Sequence, residues 1–173
     1  MSSTQRICGT SFTFLTLLLL TRVLIIEAFH VTSNSMTPRY PPGARIWVDK
    51  AAFEFRSPRR WEVVVFNGPT DERFPFVKRI VGLPGEMIQI KDGEVYVDGE
   101  LATKPVEIIH DVHYQASGRH GIHSAYRLGD DEYFMLGDNS EASDDSRFWP
   151  HPGVKHSALI GPVLFPSESP PGG

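Results

Sequence analysis

Hydrophobic and polar positions along this 173-residue chain fall into two regimes. From Phe12 to Ile26, eleven of fifteen residues are apolar, three are threonine and only Arg22 is charged. The stretch between Arg6 and Glu27, Ile7 to Ile26, is twenty residues long, and as a helix it spans about 30 Å, the thickness of bilayer hydrocarbon. One N-terminal transmembrane helix is expected, with Arg22 near enough to its end for the long side chain to reach the headgroups. A cleaved export signal also begins with an arginine and a leucine-rich run. The continuation Val23-Leu-Ile-Ile-Glu-Ala-Phe29 stays bulky and offers no small-x-small cleavage site, so a retained anchor is the preferred reading. Arg6 before the run and Glu27 after it favour an N-inside orientation, with the bulk of the chain on the extracytoplasmic side.

From Val31 to Pro166 the pattern changes to short β-favouring runs broken by Gly, Pro and Asp, without a long helical period. Strands are predicted at Ala44 to Val48, Glu62 to Phe66, Phe76 to Val81, Met87 to Lys91, Glu94 to Val97, Glu132 to Leu136 and Leu159 to Phe165. Asp92-Gly93 and Asp98-Gly99 each separate two alternating runs, which predicts tight hairpins and an antiparallel meander. Pro41-Pro-Gly43 and Leu83-Pro-Gly85 are turn chemistry, and the ending from Pro166 reads as a disordered tail. The resulting division is a short N-terminus at 1–6, the anchor at 7–29, a β-rich domain at 30–166 and the tail at 167–173.

Composition narrows the function classes. Seventeen Lys and Arg against 21 Asp and Glu give a formal charge of −4, so no basic field draws the chain to nucleic acid, and none is expected as a partner. The single cysteine, Cys8, can close no intrachain disulfide and is too few for a cysteine-based zinc site.

Ser33-Asn-Ser35-Met-Thr-Pro38 holds hydroxyls nine residues beyond Ile26, close to the expected membrane surface. No G-x-S-x-G elbow exists, and no histidine pattern pairs with Ser35. A lysine removed from water loses its preference for the ammonium form and can deprotonate a hydroxyl. Lys78, within Phe74-Pro-Phe-Val-Lys-Arg-Ile-Val-Gly-Leu-Pro-Gly85, has the apolar neighbours to be buried that way, although a surface-facing strand lysine fits the same letters.

Four blocks in order resemble the type I signal peptidases, membrane-anchored serine proteases with a Ser/Lys dyad. Arg22 through Glu27-Ala-Phe-His-Val-Thr-Ser-Asn-Ser-Met36 resembles the passage from membrane helix into the nucleophile loop. Trp61-Glu-Val-Val-Val-Phe66 resembles a buried strand of the family, and Val77-Lys-Arg-Ile-Val-Gly-Leu-Pro-Gly-Glu86 is similar to its general-base block. Gly137-Asp-Asn-Ser-Glu-Ala-Ser-Asp-Asp-Ser-Arg147 is similar to its acidic signature. The resemblance covers roughly Arg22 to Phe165. It implies a mainly β fold of antiparallel sheets forming a partial barrel of the signal-peptidase type.

By the same resemblance Ser35 is the nucleophile and Lys78 the base. Ser33 and the Ser35 backbone N–H form the oxyanion hole, and Ser143 orients Lys78. Asp138, Asn139, Asp145 and Arg147 support the site, the last two as a charge pair bracing the loop. The implied activity is removal of signal peptides from exported preproteins at the plasma membrane, with the signal peptide and the lipid bilayer as partners and neither cofactor nor metal. Asn34 stands where the family commonly has glycine, and Asn tolerates left-handed backbone, so the loop geometry is expected to survive. Arg39, Tyr40 and Pro150 are further departures, which bear on substrate fit. His110-x-x-His113 and His120-x-x-His123 read as an exposed variable loop instead of a metal site. Two other readings stay open: a self-cleaving Ser/Lys regulator, whose DNA-binding domain is replaced here by a membrane helix, and an inactive membrane-anchored β domain that binds export substrates or machinery.

Overall fold

The computed structural model describes residues 25–69, 74–109 and 112–165. Within them, eleven strands run in chain order: β1 Ile26–His30, β2 Arg45–Asp49, β3 Val63–Asn67, β4 Pro75–Gly82, β5 Met87–Lys91, β6 Glu94–Val97, β7 Glu100–Leu101, β8 Tyr126–Arg127, β9 Glu132–Leu136, β10 Gly153–Lys155 and β11 Leu159–Phe165. A single-turn helix, α1 (Ala52–Phe55), follows β2. The strands form a seven-stranded sheet of order β1-β2-β11-β3-β4-β9-β10 and a four-stranded sheet of order β7-β6-β5-β8. Every pairing is antiparallel.

The two hairpins of the smaller sheet follow from their turns. Lys91 pairs with Glu94 across Asp92-Gly93, and Val97 with Glu100 across Asp98-Gly99. All four turn residues have positive φ, between 50° and 89°, the backbone that twists a two-residue turn to match its flanking strands.

All seven predicted strands are present, four with unchanged bounds and three differing by one residue at both ends. Four others, β1, β7, β8 and β10, had no counterpart in the predicted set. The expected anchor over 7–29 ends differently: residues 26–29 lie in β1, which pairs with β2 from Ile26↔Asp49 to His30↔Arg45. A run of bulky apolar residues fits strand as well as helix, and a pairing partner decides between them. Residues 7–24 lie outside the described residues, as do 1–6 and 166–173. No helix among the described residues is long and apolar enough to cross a membrane.

Three buried clusters hold the sheets. One packs Val31, Met36, Ile46, Val48 and Val65 beneath the loop that carries Ser35. A second gathers Val64, Phe66, Ile80, Met135 and Trp149 on the other side of β3 and β4. The third joins the small sheet to β9 through Ile88, Ile90, Phe134 and Leu136. Adjacent strand residues point to opposite faces, so β3 feeds Val65 to the first cluster and Val64 and Phe66 to the second. The same alternation sends Lys78 and Arg79 to opposite sides of β4.

Candidate active site

Ser35 sits in a 3-10 turn, Asn34–Met36, at the end of a short passage from β1. Met36 is fully buried and pins the turn to the core. The Thr37 amide and hydroxyl both donate to the Asn34 carbonyl, at 3.2 and 2.9 Å. From the far side, the Asn139 amide donates to the Ser35 carbonyl at 3.0 Å, and the Asn139 side chain donates to Thr37 Oγ1 at 2.9 Å. The Ser35 turn is thus clamped to the acidic segment, and Asn139 supplies the clamp. Asn34 makes no use of the left-handed backbone that Asn tolerates: Trp61, Asp92 and Asp98 are the non-glycine residues with positive φ among the described residues. An ordinary φ suffices because the turn closes on its own 3-10 hydrogen bond.

Lys78 lies on β4 opposite Val64 of β3 and is 3% exposed. Its Nζ donates to Ser35 Oγ at 2.6 Å. Burial pulls the Lys78 ammonium down from 10.5 to about 8, outweighing the Asp145 and Asp144 carboxylates, which favour the charged form. An amine with that value is substantially neutral in mildly alkaline water and lies within hydrogen-bonding distance of a hydroxyl.

Ser33 is exposed, and its Oγ lies 3.1 Å from Ser35 Oγ. Ser143 is buried, and its Oγ has no hydrogen-bond partner. A Cβ on Gly137 would fall 2.2 Å from Ser143 Oγ and 2.5 Å from the Ser35 carbonyl oxygen. Only a residue without a side chain lets these three segments approach so closely. No hydrogen bond joins Ser143 to Lys78 in this structure; the Nζ bond goes to Ser35.

Two buried ion pairs frame the dyad. Arg147 donates to both Asp145 oxygens at 2.8 Å, and to Ser140 Oγ, the Ser140 carbonyl and the Gln115 carbonyl. Asp145 also accepts from the Gly137 amide at 3.1 Å. Asp138 accepts two hydrogen bonds from Arg79, at 2.7 and 2.6 Å, and Arg79 additionally donates to the Trp61 carbonyl. Sequence reasoning missed Arg79 as Asp138's partner. The available signal was a second cation directly after Lys78 in an otherwise apolar strand, which must point to the opposite face and needs an anion there.

Beside the dyad runs a groove of about 270 Å³, walled by residues of the β1 end and the turn on one side and by β4 on the other. Its lining is mixed: Phe76, Val77 and Ala142 contribute apolar surface, Thr32, Ser33 and Asp144 polar surface, and Ser35 and Lys78 open into it. Among the described residues no group of three or more His, Cys, Asp and Glu side chains is placed to hold a metal ion; His110 lies outside them.

A buried lysine thus bonds a serine beside a groove, and comparison with known proteins points to one family. The family model described as signal peptidase, peptidase S26, matches residues 4–167. A probable signal peptidase I-2 of Synechocystis sp. is 36% identical over 134 aligned positions, covering 74% of this chain and 57% of that protein. A signal peptidase I of Pseudomonas aeruginosa is 31% identical over 181 aligned positions, covering 86% of this chain and 64% of that protein. A crystal structure of a signal peptidase I from Enterococcus faecalis aligns with a TM-score of 0.47 at 26% identity, covering 64% of this chain and 98% of that one. The chain belongs to the signal peptidase, peptidase S26, family. It spans somewhat under two thirds of the length of the Synechocystis and Pseudomonas relatives.

Proposed function

We propose that this protein is a membrane-bound serine endopeptidase that removes signal peptides from exported preproteins, with Ser35 as nucleophile and Lys78 as general base. The observation that carries the reading is the 2.6 Å contact between Lys78 Nζ and Ser35 Oγ at the edge of a groove. With Lys78 neutral, the direction of that hydrogen bond reverses and the Ser35 hydroxyl donates to the amine. Ser35 Oγ then attacks the scissile carbonyl carbon while its proton passes to Lys78. The oxygen that becomes negative is received by the Ser33 hydroxyl and the Ser35 backbone N–H. Collapse of the tetrahedral intermediate breaks the C–N bond, and Lys78 returns the proton to the leaving amine. Lys78 next takes a proton from a water whose oxygen attacks the Ser35 ester; collapse of this second tetrahedral intermediate breaks the acyl–Oγ bond, Lys78 returns the proton to Ser35 Oγ, and the signal peptide leaves with its new carboxyl group, which ionises in water.

The partnerless Ser143 hydroxyl is assigned to orienting Lys78 during these transfers, and Asp138, Asn139, Asp145 and Arg147 to holding the loops around it. The family resemblance adds the substrate class: small residues at the first and third positions before the cut, which suit the apolar side chains Phe76, Val77 and Ala142 in the groove lining. Residues 7–24 are assigned to a single N-inside transmembrane helix in the plasma membrane, leaving the peptidase domain on the extracytoplasmic side. An enzyme and a substrate held at one bilayer surface meet at high effective concentration. No step needs a cofactor.

The experiment is cleavage of a preprotein carrying an Ala-x-Ala site by the detergent-solubilised full chain, with Ser35→Ala and Lys78→Ala beside wild type. Cleavage abolished in both variants supports the dyad. A folded wild type that binds the preprotein without cutting it replaces this reading with that of a binding domain.

A further inference from the structure

Carboxylates near the dyad are engaged, with one exception. Asp138 is taken up by Arg79 and Asp145 by Arg147. Asp144 is exposed, lines the groove, and has neither a hydrogen bond nor an ion pair among the described residues. It is the only carboxylate lining the groove among those residues. Burial alternates through Ser143-Asp144-Asp145, buried, exposed, buried, so Asp144 turns outward to the rim while its neighbours turn inward.

An extended peptide laid along the groove alternates in the same way, with successive side chains on opposite faces. If the residues at the first and third positions before the cut face the apolar side chains Phe76, Val77 and Ala142 of the groove lining, the side chain between them faces the rim. We propose that Asp144 is a specificity-determining residue, selecting substrates with a basic side chain at the second position before the scissile bond. The inference rests on the hydrolase reading above and adds to it a chemical class of substrate. Asp144 is close enough to the reacting centre for its charge to be felt at Lys78, where it favours the ammonium form. An unpaired carboxylate at that distance attracts a cationic side chain and repels an anionic one, although solvent at the rim limits the effect.

The test uses three preproteins that differ only in Lys, Gln or Glu between the two alanines of the cleavage site, cut by the detergent-solubilised full chain at pH 9. The expected order of kcat/KM is Lys, then Gln, then Glu, with a Lys-to-Glu ratio of roughly tenfold. Because one Lys78 serves all three substrates, any effect of Asp144 on the base cancels in the ratio. Asp144→Asn should bring the ratio near one, Asp144→Glu should retain it, and Asp144→Lys should invert it. Raising salt from about 0.1 to about 1 M, which shortens the screening length from roughly 10 to roughly 3 Å, should also reduce it. Equal rates in wild type, or a ratio that survives in Asp144→Asn, overturns the inference and leaves the hydrolase reading standing. Absence of cleavage of all three by folded wild type overturns both.

Discussion

Arg79 and Asp138 are joined by two parallel hydrogen bonds at 2.7 and 2.6 Å, on the face of β4 opposite Lys78. The guanidinium is 5% exposed and the carboxylate 1%. This pair ties the strand carrying Lys78 to the segment that clamps the Ser35 turn, through Asn139 next to Asp138. Removing one partner strands the other charge in the core. Asp138→Ala is therefore expected to lower stability by about 3–5 kcal/mol, as measured by urea denaturation. A change under about 1 kcal/mol contradicts this account of the pair.

The lowered Lys78 value makes activity a titration of the base. With the ammonium holding its proton to about pH 8, kcat/KM should rise about tenfold per pH unit below that value and level off above about 9. Lys78→Arg should be inactive throughout, since guanidinium stays protonated. A wild-type rate that is flat from pH 6 to 9 argues against lysine as the base.

The same burial acts on folding. The unfolded chain holds the Lys78 proton up to 10.5 and the folded chain only to about 8, so between these values the unfolded state binds more protons and stability rises with pH. Below about 8 the whole penalty is present, about 3 kcal/mol, and above 10.5 it is gone. Lys78→Met should be more stable than wild type at pH 7 and should lose this contribution to the rise between pH 8 and 10. Denaturation midpoints of the two proteins over that window decide the matter.

At Gly137 the constraint is space, since its φ is not in the left-handed region. The Cβ of Gly137→Ala would meet Ser143 Oγ and the Ser35 carbonyl oxygen at 2.2 and 2.5 Å. The nucleophile loop must move by a fraction of an ångström or more, enough to reduce kcat by roughly 10²-fold. Overpacking should also cost about 1–3 kcal/mol of stability. An alanine variant with wild-type kcat means that the loop position is not critical.

Ser33 offers the cleanest separation of rate from stability. It is exposed, and its Oγ lies 3.1 Å from Ser35 Oγ. Ser33→Ala should reduce kcat by roughly 10²- to 10³-fold while leaving the unfolding free energy within about 0.5 kcal/mol. Ser33→Thr should restore much of the rate. If alanine and serine turn over alike, Ser33 is not an oxyanion donor.

What could be read along the chain was what neighbouring residues decide among themselves. Asp92-Gly93 and Asp98-Gly99 accept positive φ, so both hairpins and their registers are local consequences. β-Favouring runs of four to seven residues, broken by Gly, Pro and Asp, marked seven strands, whereas β7 and β8, two residues each, are too short to stand out. Strand β1 was concealed because Ile26–His30 begins at the end of the apolar run assigned to the anchor, and only its pairing with β2 makes it a strand.

The site was legible as letters, Ser33, Ser35, Lys78 and the acidic segment, because each sits in a recognisable local block. Their meeting is a different matter. Ser35 and Lys78 are 43 positions apart, and Arg79 and Asp138 are 59. Bringing them together depends on β11 inserting between β2 and β3 and on β9 pairing with β4, long-range choices settled by the sum of buried contacts across the whole sheet. The sequence by itself determined which chemical groups are available and the local geometry that presents them. Only the tertiary structure decided that Lys78 is dry, that Arg79 has an anion to hold, and that Asp144 faces the groove, because burial and charge pairing belong to the assembled sheets and not to any one segment.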